Sequence, residues 1–275
     1  MKKDISRIHV KMLLDELIKD RDTIRTNGKD ISIMHYILSN SSMNVRYSEC
    51  VKDICEKMNI IYKTENINDH KNFKALSNSI ANSNSTGILY SCPFIYDGFV
   101  GQLLKRIPPN KDIECISPTV YGEYMCNVSH KVKPCISQII AQLMILHGRV
   151  DEMQKMVVIT PKTEYFNTRK VCSTIHNSYN VTFIPITSEN VIKEMYDADI
   201  IISIASNSPV RVLNTDKEYP TLGDALVIDF GYSPSGSPSI DRAFFDKRTI
   251  FYNLSNSLME MYVISAIKNL FNILK

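Results

Sequence analysis

Glycine is scarce in this chain, with nine among 275 residues, and tryptophan is absent. The turn at Thr160-Pro161-Lys162-Thr163, which follows the apolar run "MVVIT", contains no glycine where a nucleotide-binding α/β domain would use it to bring backbone against a phosphate. Seven cysteines stand without any CxxC pair and six histidines are dispersed, so neither a disulfide framework nor a metal site is expected. Reduced thiols in a cytoplasmic protein are the plain reading. No apolar run approaches the roughly 20 residues needed to span a bilayer. The N-terminus leads straight into an amphipathic pattern, so no signal peptide and no membrane association are expected. A net charge of +3, with lysines scattered along the chain, argues against nucleic acid as a partner.

With 44% hydrophobic and 22% charged residues, the composition is that of a globular α/β protein with one large core or two modest ones. Helical spacing of apolar residues runs from Ile5 to about Thr26, over 46–58, through "HKNFKALSNSIANS", around Gly98–Arg106, over 136–148 and from Ser257 to Leu274. Strand-like runs are "ISIMHYIL" (31–38), "IIYKT", "GILYSCPF" (87–94), "MVVIT" (156–160), "VTFIPI" (181–186), "DIIISIA" (199–205) and "ALVIDFG" (225–231). Between about 106 and 133 the pattern predicts a long loop. Continuous apolar strands separated by helical or loop segments suit parallel sheets covered on both faces. The expected architecture has two α/β lobes joined near 135–150. Residues 1–135 form the first, and a C-terminal helix, 256–275, returns to it. Residues 136–255 form a Rossmann-like parallel-sheet lobe. The cleft between lobes is the default ligand site.

Five segments, in order, carry a family likeness. They are Gly87-Ile88-Leu89-Tyr90-Ser91-Cys92-Pro93-Phe94, "PNKDIECISPTVYG" (109–122), Pro134-Cys135-Ile136-Ser137, "ADIIISIAS" (198–206) and "DALVIDFGYS" (224–233). In sequence and spacing they resemble the tetrahydrofolate dehydrogenase/cyclohydrolase (FolD-type) family over roughly residues 5–270. The resemblance implies a folate lobe, a lobe binding NADP or NAD, no metal, and homodimers formed through the second lobe.

Carried over residue by residue, the family's functional groups are depleted. Its catalytic Tyr-x-x-x-Lys motif falls on Tyr47 and Val51, and valine has no proton to exchange where the family's lysine supports opening of the methenyl ring. Lys52 is adjacent, but one helical residue turns the side chain by about 100°, so only a register shift brings it to the site. The glutamine that orients the lysine falls on Ser91. The aspartate that holds the pterin falls on Glu114, with Asp112 two residues earlier and Cys115 in place of a glycine. Glu114 and Asp112 are open to two readings, as pterin-binding carboxylates or as solvated loop acids. On the cofactor side the phosphate turn becomes Thr160, Pro161 and Lys162, a glycine becomes Ser206, and a closing glycine- and proline-rich loop becomes 253–262. Pro161 removes an N–H donor, while Lys162 or Arg169 can supply a point charge.

The expectation is a FolD-like homologue with degenerate catalytic and dinucleotide motifs. It lacks cyclohydrolase activity, has at best weak dehydrogenase activity, and binds a folate or another small ligand or partners an active homologue. An active NAD(P)-dependent methylenetetrahydrofolate dehydrogenase, and a different two-lobe Rossmann-type enzyme, are the alternatives.

Overall fold

In the computed structural model, the structure describes residues 2–25, 30–37, 42–67, 72–91, 98–128, 131–151, 153–160, 180–204, 221–231, 239–254 and 257–275. The chain forms two compact units, one of residues 3–138 and 260–275, the other of 139–259.

In the first unit, α1 (Lys2–Arg25) precedes β1 (Ser32–Ile37), α2 (Ser42–Lys57), β2 (Ile61–Asn66), α3 (Phe73–Ala81), β3 (Gly87–Ser91) and α4 (Gly98–Leu104). The three strands form a parallel sheet in the order β2-β1-β3. α2 turns Val51, Ile54 and Cys55 inward, three and four residues apart as a helix face requires. α3 starts at Asn72, whose side chain accepts the Ala75 N–H at 3.0 Å and satisfies one of the free donors of the first turn.

The stretch expected to be a loop, 106–133, is instead built from a 3-10 turn (Pro109–Lys111) and a helix, α5 (Pro118–Met125). The reason is local. Ser117 Oγ accepts the Val120 N–H at 3.3 Å, and Pro118 at the first helical position loses a donor that has no intrahelical partner anyway. α6 (Cys135–Leu146) follows, and Gly148, at φ +64, ends it in the left-handed conformation.

The second unit holds β4 (Lys155–Thr160), β5 (Asn180–Pro185), α7 (Val191–Tyr196), β6 (Ile200–Ser203), β7 (Leu226–Asp229) and β8 (Ile250–Asn253). All five strands are parallel, in the order β5-β4-β6-β7-β8. β4, β6 and β7 are buried almost throughout, which explains their unbroken apolar runs. β8 and α7 went unread in the sequence. The segment 253–262, taken there as a closing loop, ends β8 at Asn253 and from Ser257 onward opens α8 (Ser257–Leu274).

From Glu260 onward α8 belongs to the first unit, and Asn269 ties it there. Its amide donates to the carbonyls of Ile113 and Lys133, both at 2.8 Å, and its Oδ1 accepts the Lys133 N–H and Gln138 Nε2, both at 3.1 Å. Asn269 is buried, so each bond lost leaves a polar group without water. Asn269→Leu is expected to lower unfolding stability by about 3 kcal/mol, read as a shifted urea midpoint at unchanged m-value.

Candidate functional site

The carboxyl ends of parallel strands are where open α/β sheets bind ligands, because loops and helix starts converge there. In the first unit that end is marked by Ser91, the last residue of β3, which pairs with Ile37, the last of β1. Side chains on a strand alternate between faces, so the register places Ile33, His35, Tyr62, Leu89 and Ser91 on one face.

His35 is fully buried in mid-strand and bonded through both ring nitrogens. Nε2 lies 2.6 Å from Ser91 Oγ and Nδ1 2.7 Å from Tyr62 Oη, with Ser48 Oγ farther from Nδ1 at 3.5 Å. Burial pushes the imidazole down to about 3, so it is neutral at physiological pH. The half-buried Tyr47 packs its ring edge-on to His35, with centroids 5.3 Å apart, and likewise to Tyr262 of α8 at 5.9 Å.

Tyr47 Oη donates to Glu114 Oε1 at 3.2 Å, and the Tyr90 N–H donates to Glu114 Oε2 at 2.9 Å. Burial and the neighbouring Glu114 charge raise the Tyr47 phenol well above its ordinary value. Glu114 is therefore an engaged, buried carboxylate at the end of the sheet, not a solvated loop acid. Asp112 is buried too, and its bonds are to backbone: it accepts from the N–H groups of Glu114, Ile116 and Ser117 at 2.7–3.3 Å. It shapes the loop, and its burial corrects the reading of it as a solvated acid. Cys115 adopts φ +59, a conformation that glycine takes without strain and other residues take at a cost of about 1–2 kcal/mol.

The two candidates for the acid–base position separate cleanly. Val51 is 0% exposed, while the Lys52 side chain is 64% exposed and lies 3.9 Å from Glu56 one turn along the helix. Tyr47, Ser91 and Glu114 come together around His35 and β3; Val51 brings no titratable atom. His35 and Tyr62 were missed in the sequence. The available signal was a histidine in the middle of an otherwise apolar strand, "ISIMHYIL".

In the second unit Thr160 ends β4, its hydroxyl 3.5 Å from the Ile184 carbonyl. Pro161, Lys162 and Ser206 lie outside the described residues. At the end of β7, Asp229 collects the N–H groups of Gly231, Ser239 and Ile240 and the Ser239 hydroxyl, which in turn lies 2.6 Å from Ser203 Oγ. Burial pushes Asp229 up to about 6 against those hydrogen bonds. Among the described residues no group of three or more His, Cys, Asp or Glu is placed to hold a metal ion, and no helix is long and apolar enough to cross a membrane.

The His35 geometry sets a pH dependence. The unfolded chain binds a proton at His35 near the ordinary 6.5, whereas the folded chain refuses it until about pH 3, so this group makes stability fall as pH drops between those values. From pH 7 to pH 5 the loss is about 2 kcal/mol. Urea unfolding of His35→Gln at both pH values should show a drop smaller by about that amount. An equal drop in both proteins would mean His35 is accessible to protons in the folded state.

No family model matches the sequence, and no curated protein matches it. Solved structures do. The bifunctional FolD methylenetetrahydrofolate dehydrogenase/cyclohydrolase of Campylobacter jejuni superposes with a TM-score of 0.77 at 18% identity, covering 99% of this chain and 96% of that one. The FolD enzyme of Trypanosoma brucei, solved with NADP and an inhibitor, gives 0.77 at 17% identity over 98% and 95%. The NAD-dependent 5,10-methylenetetrahydrofolate dehydrogenase of Saccharomyces cerevisiae gives 0.70 at 14% over 99% and 95%. With the two parallel sheets and the returning C-terminal helix, these likenesses show that the chain has the two-lobe α/β fold of the FolD-type methylenetetrahydrofolate dehydrogenase/cyclohydrolases.

Proposed function

We propose that this protein is a divergent FolD-type homologue that binds a folate-type ligand in its first lobe and has lost cyclohydrolase activity. Val51 carries the reading: the position matching the family's proton-handling lysine holds a fully buried aliphatic side chain. The nearest lysine, Lys52, is directed to solvent. Tyr47 and Glu114 keep a hydrogen-bonding platform at the carboxyl end of β3, which supports retention of a small-molecule site after loss of the lysine. The glycine-free turn starting at Thr160 supports weak or absent dinucleotide binding in the second lobe. By the same resemblance the protein works as a homodimer, and a cysteine set without any CxxC pair supports a cytoplasmic setting.

A second reading, an active methylenetetrahydrofolate dehydrogenase with an atypical site, is favoured by the intact five-stranded parallel sheet. Hydride transfer needs two ring systems held in place more than it needs a lysine. Solved relatives of this fold include one complexed with NADP and one that is NAD-dependent.

Titration calorimetry and a hydrolysis assay separate the two. Tetrahydrofolate should bind, NADP and NAD should show no micromolar binding, and methenyltetrahydrofolate should hydrolyse at the rate of buffer alone. Micromolar dinucleotide affinity with hydride transfer would establish the second reading. Enzymatic hydrolysis abolished by Lys52→Ala would overturn the first.

A further inference from the structure

The polar chain through His35 has a direction. A neutral imidazole carries one N–H, and which nitrogen holds it depends on the partners of each. Nδ1 faces the phenol of Tyr62 at 2.7 Å, with Ser48 beyond, and Nε2 faces the Ser91 hydroxyl alone at 2.6 Å. The phenol is the most acidic hydroxyl of the three, hence the best donor to an imidazole nitrogen. Burial raises the Tyr62 phenol to about 12, still below an ordinary aliphatic hydroxyl, and Ser48 Oγ at 3.5 Å is too far from Nδ1 to compete with it. The consistent arrangement runs one way: Tyr62 O–H to His35 Nδ1, and His35 Nε2–H to Ser91 Oγ. Ser91 then has its own hydrogen left over, at the carboxyl end of β3, where parallel sheets receive ligands.

We propose that Tyr62 and His35 are positioning residues that fix the buried Ser91 as a hydrogen-bond donor turned away from His35, so that the first-lobe site selects a ligand with a hydrogen-bond acceptor, such as a ring carbonyl or ring nitrogen, opposite Ser91. This deepens the folate-type reading and rests on it for the ligand, while the tautomer is independent of it. Where the family's glutamine orients a lysine, the serine here is oriented by a histidine from the neighbouring strand and contacts the ligand itself. Because His35 is buried and stays neutral, the donor keeps its direction across the physiological range.

Two measurements test this. Nitrogen-15 NMR of the full chain at pH 7 should show His35 as the Nε2–H tautomer, with Tyr62→Phe releasing that preference. An Nδ1–H tautomer would overturn the proposal, since Ser91 would then donate inward. Calorimetry with tetrahydrofolate should show affinity reduced roughly tenfold in Ser91→Ala, partly reduced in Tyr62→Phe, and restored by Ser91→Thr, which keeps the hydroxyl. Unchanged affinity in Ser91→Ala would also overturn it. Absence of tetrahydrofolate binding in the unaltered protein would sink the folate reading, and the tautomer would then decide the donor assignment by itself.

Discussion

The buried side chain of Asp112 is the constraint on which the first-lobe site depends. Its two oxygens gather the N–H groups of Glu114, Ile116 and Ser117, in a stretch where the backbone has no strand partner beyond a single bridge between Asp112 and Ile88. Buried N–H groups without partners would cost a few kcal/mol together, so the loop closes on this carboxyl or does not form. That closure carries Cys115 into φ +59, delivers Glu114 to the Tyr90 N–H, and sets Ser117 in place to cap α5. Asn269 completes the clamp from α8 by taking the Ile113 carbonyl. A cluster of Cys115, Val120 and Val132, with Ile273 against it, covers the same loop from its apolar side. One short segment thus joins sheet, loop and terminal helix, and the position of Glu114 follows from it.

This explains why the sequence could name Glu114 but not describe it. Read as a string, "KDIEC" is a pair of acids in a polar stretch, and solvation is the ordinary fate of such residues. The partners that bury them, Tyr90, Tyr47 and Asn269, lie 24, 67 and 156 residues from the atoms they meet. The strands were legible for the opposite reason. "VVI", "DIII" and "LVID" announce burial within a few residues, because a parallel strand covered on both faces needs no alternation. β8 carries only four residues, two of them half-buried, and gave no such signal. α5 had its signal in Ser117-Pro118, a cap followed by a proline at the first helical position, which the expected loop passed over. His35 passed unread although it interrupts the apolar run "ISIMHYIL"; its partners Tyr62 and Ser91, 27 and 56 residues away, required the register of three strands.

Composition and chemistry also part company in this fold. The parallel sheets have three and five strands, and in the second unit Asp229 gathers the N–H groups of Gly231 and Ser239. Neutral groups, a serine, a histidine held neutral by burial and a tyrosine with a raised phenol, occupy the first-lobe site together with one carboxylate. Such a set can read donors and acceptors on a ligand, and a histidine held neutral and a phenol raised by burial are poorly suited to exchange protons at neutral pH.

Bringing Lys52 into that site would take a turn of α2, and its energetics can be bounded. Bringing Lys52 to the place of Val51 rotates the helix by about 100° and takes the inward face with it. Val51, Ile54 and Cys55, all buried, would move toward water, at roughly 1.5–3 kcal/mol for each large aliphatic side chain. The same rotation would draw Tyr47 from Glu114 and from the ring of His35. A domain of this size has only about 5–15 kcal/mol of net stability, and the Lys52–Glu56 pair that would be given up contributes little either way. The apolar face of α2 therefore sets the register, and the register keeps Lys52 on the solvent side of the helix.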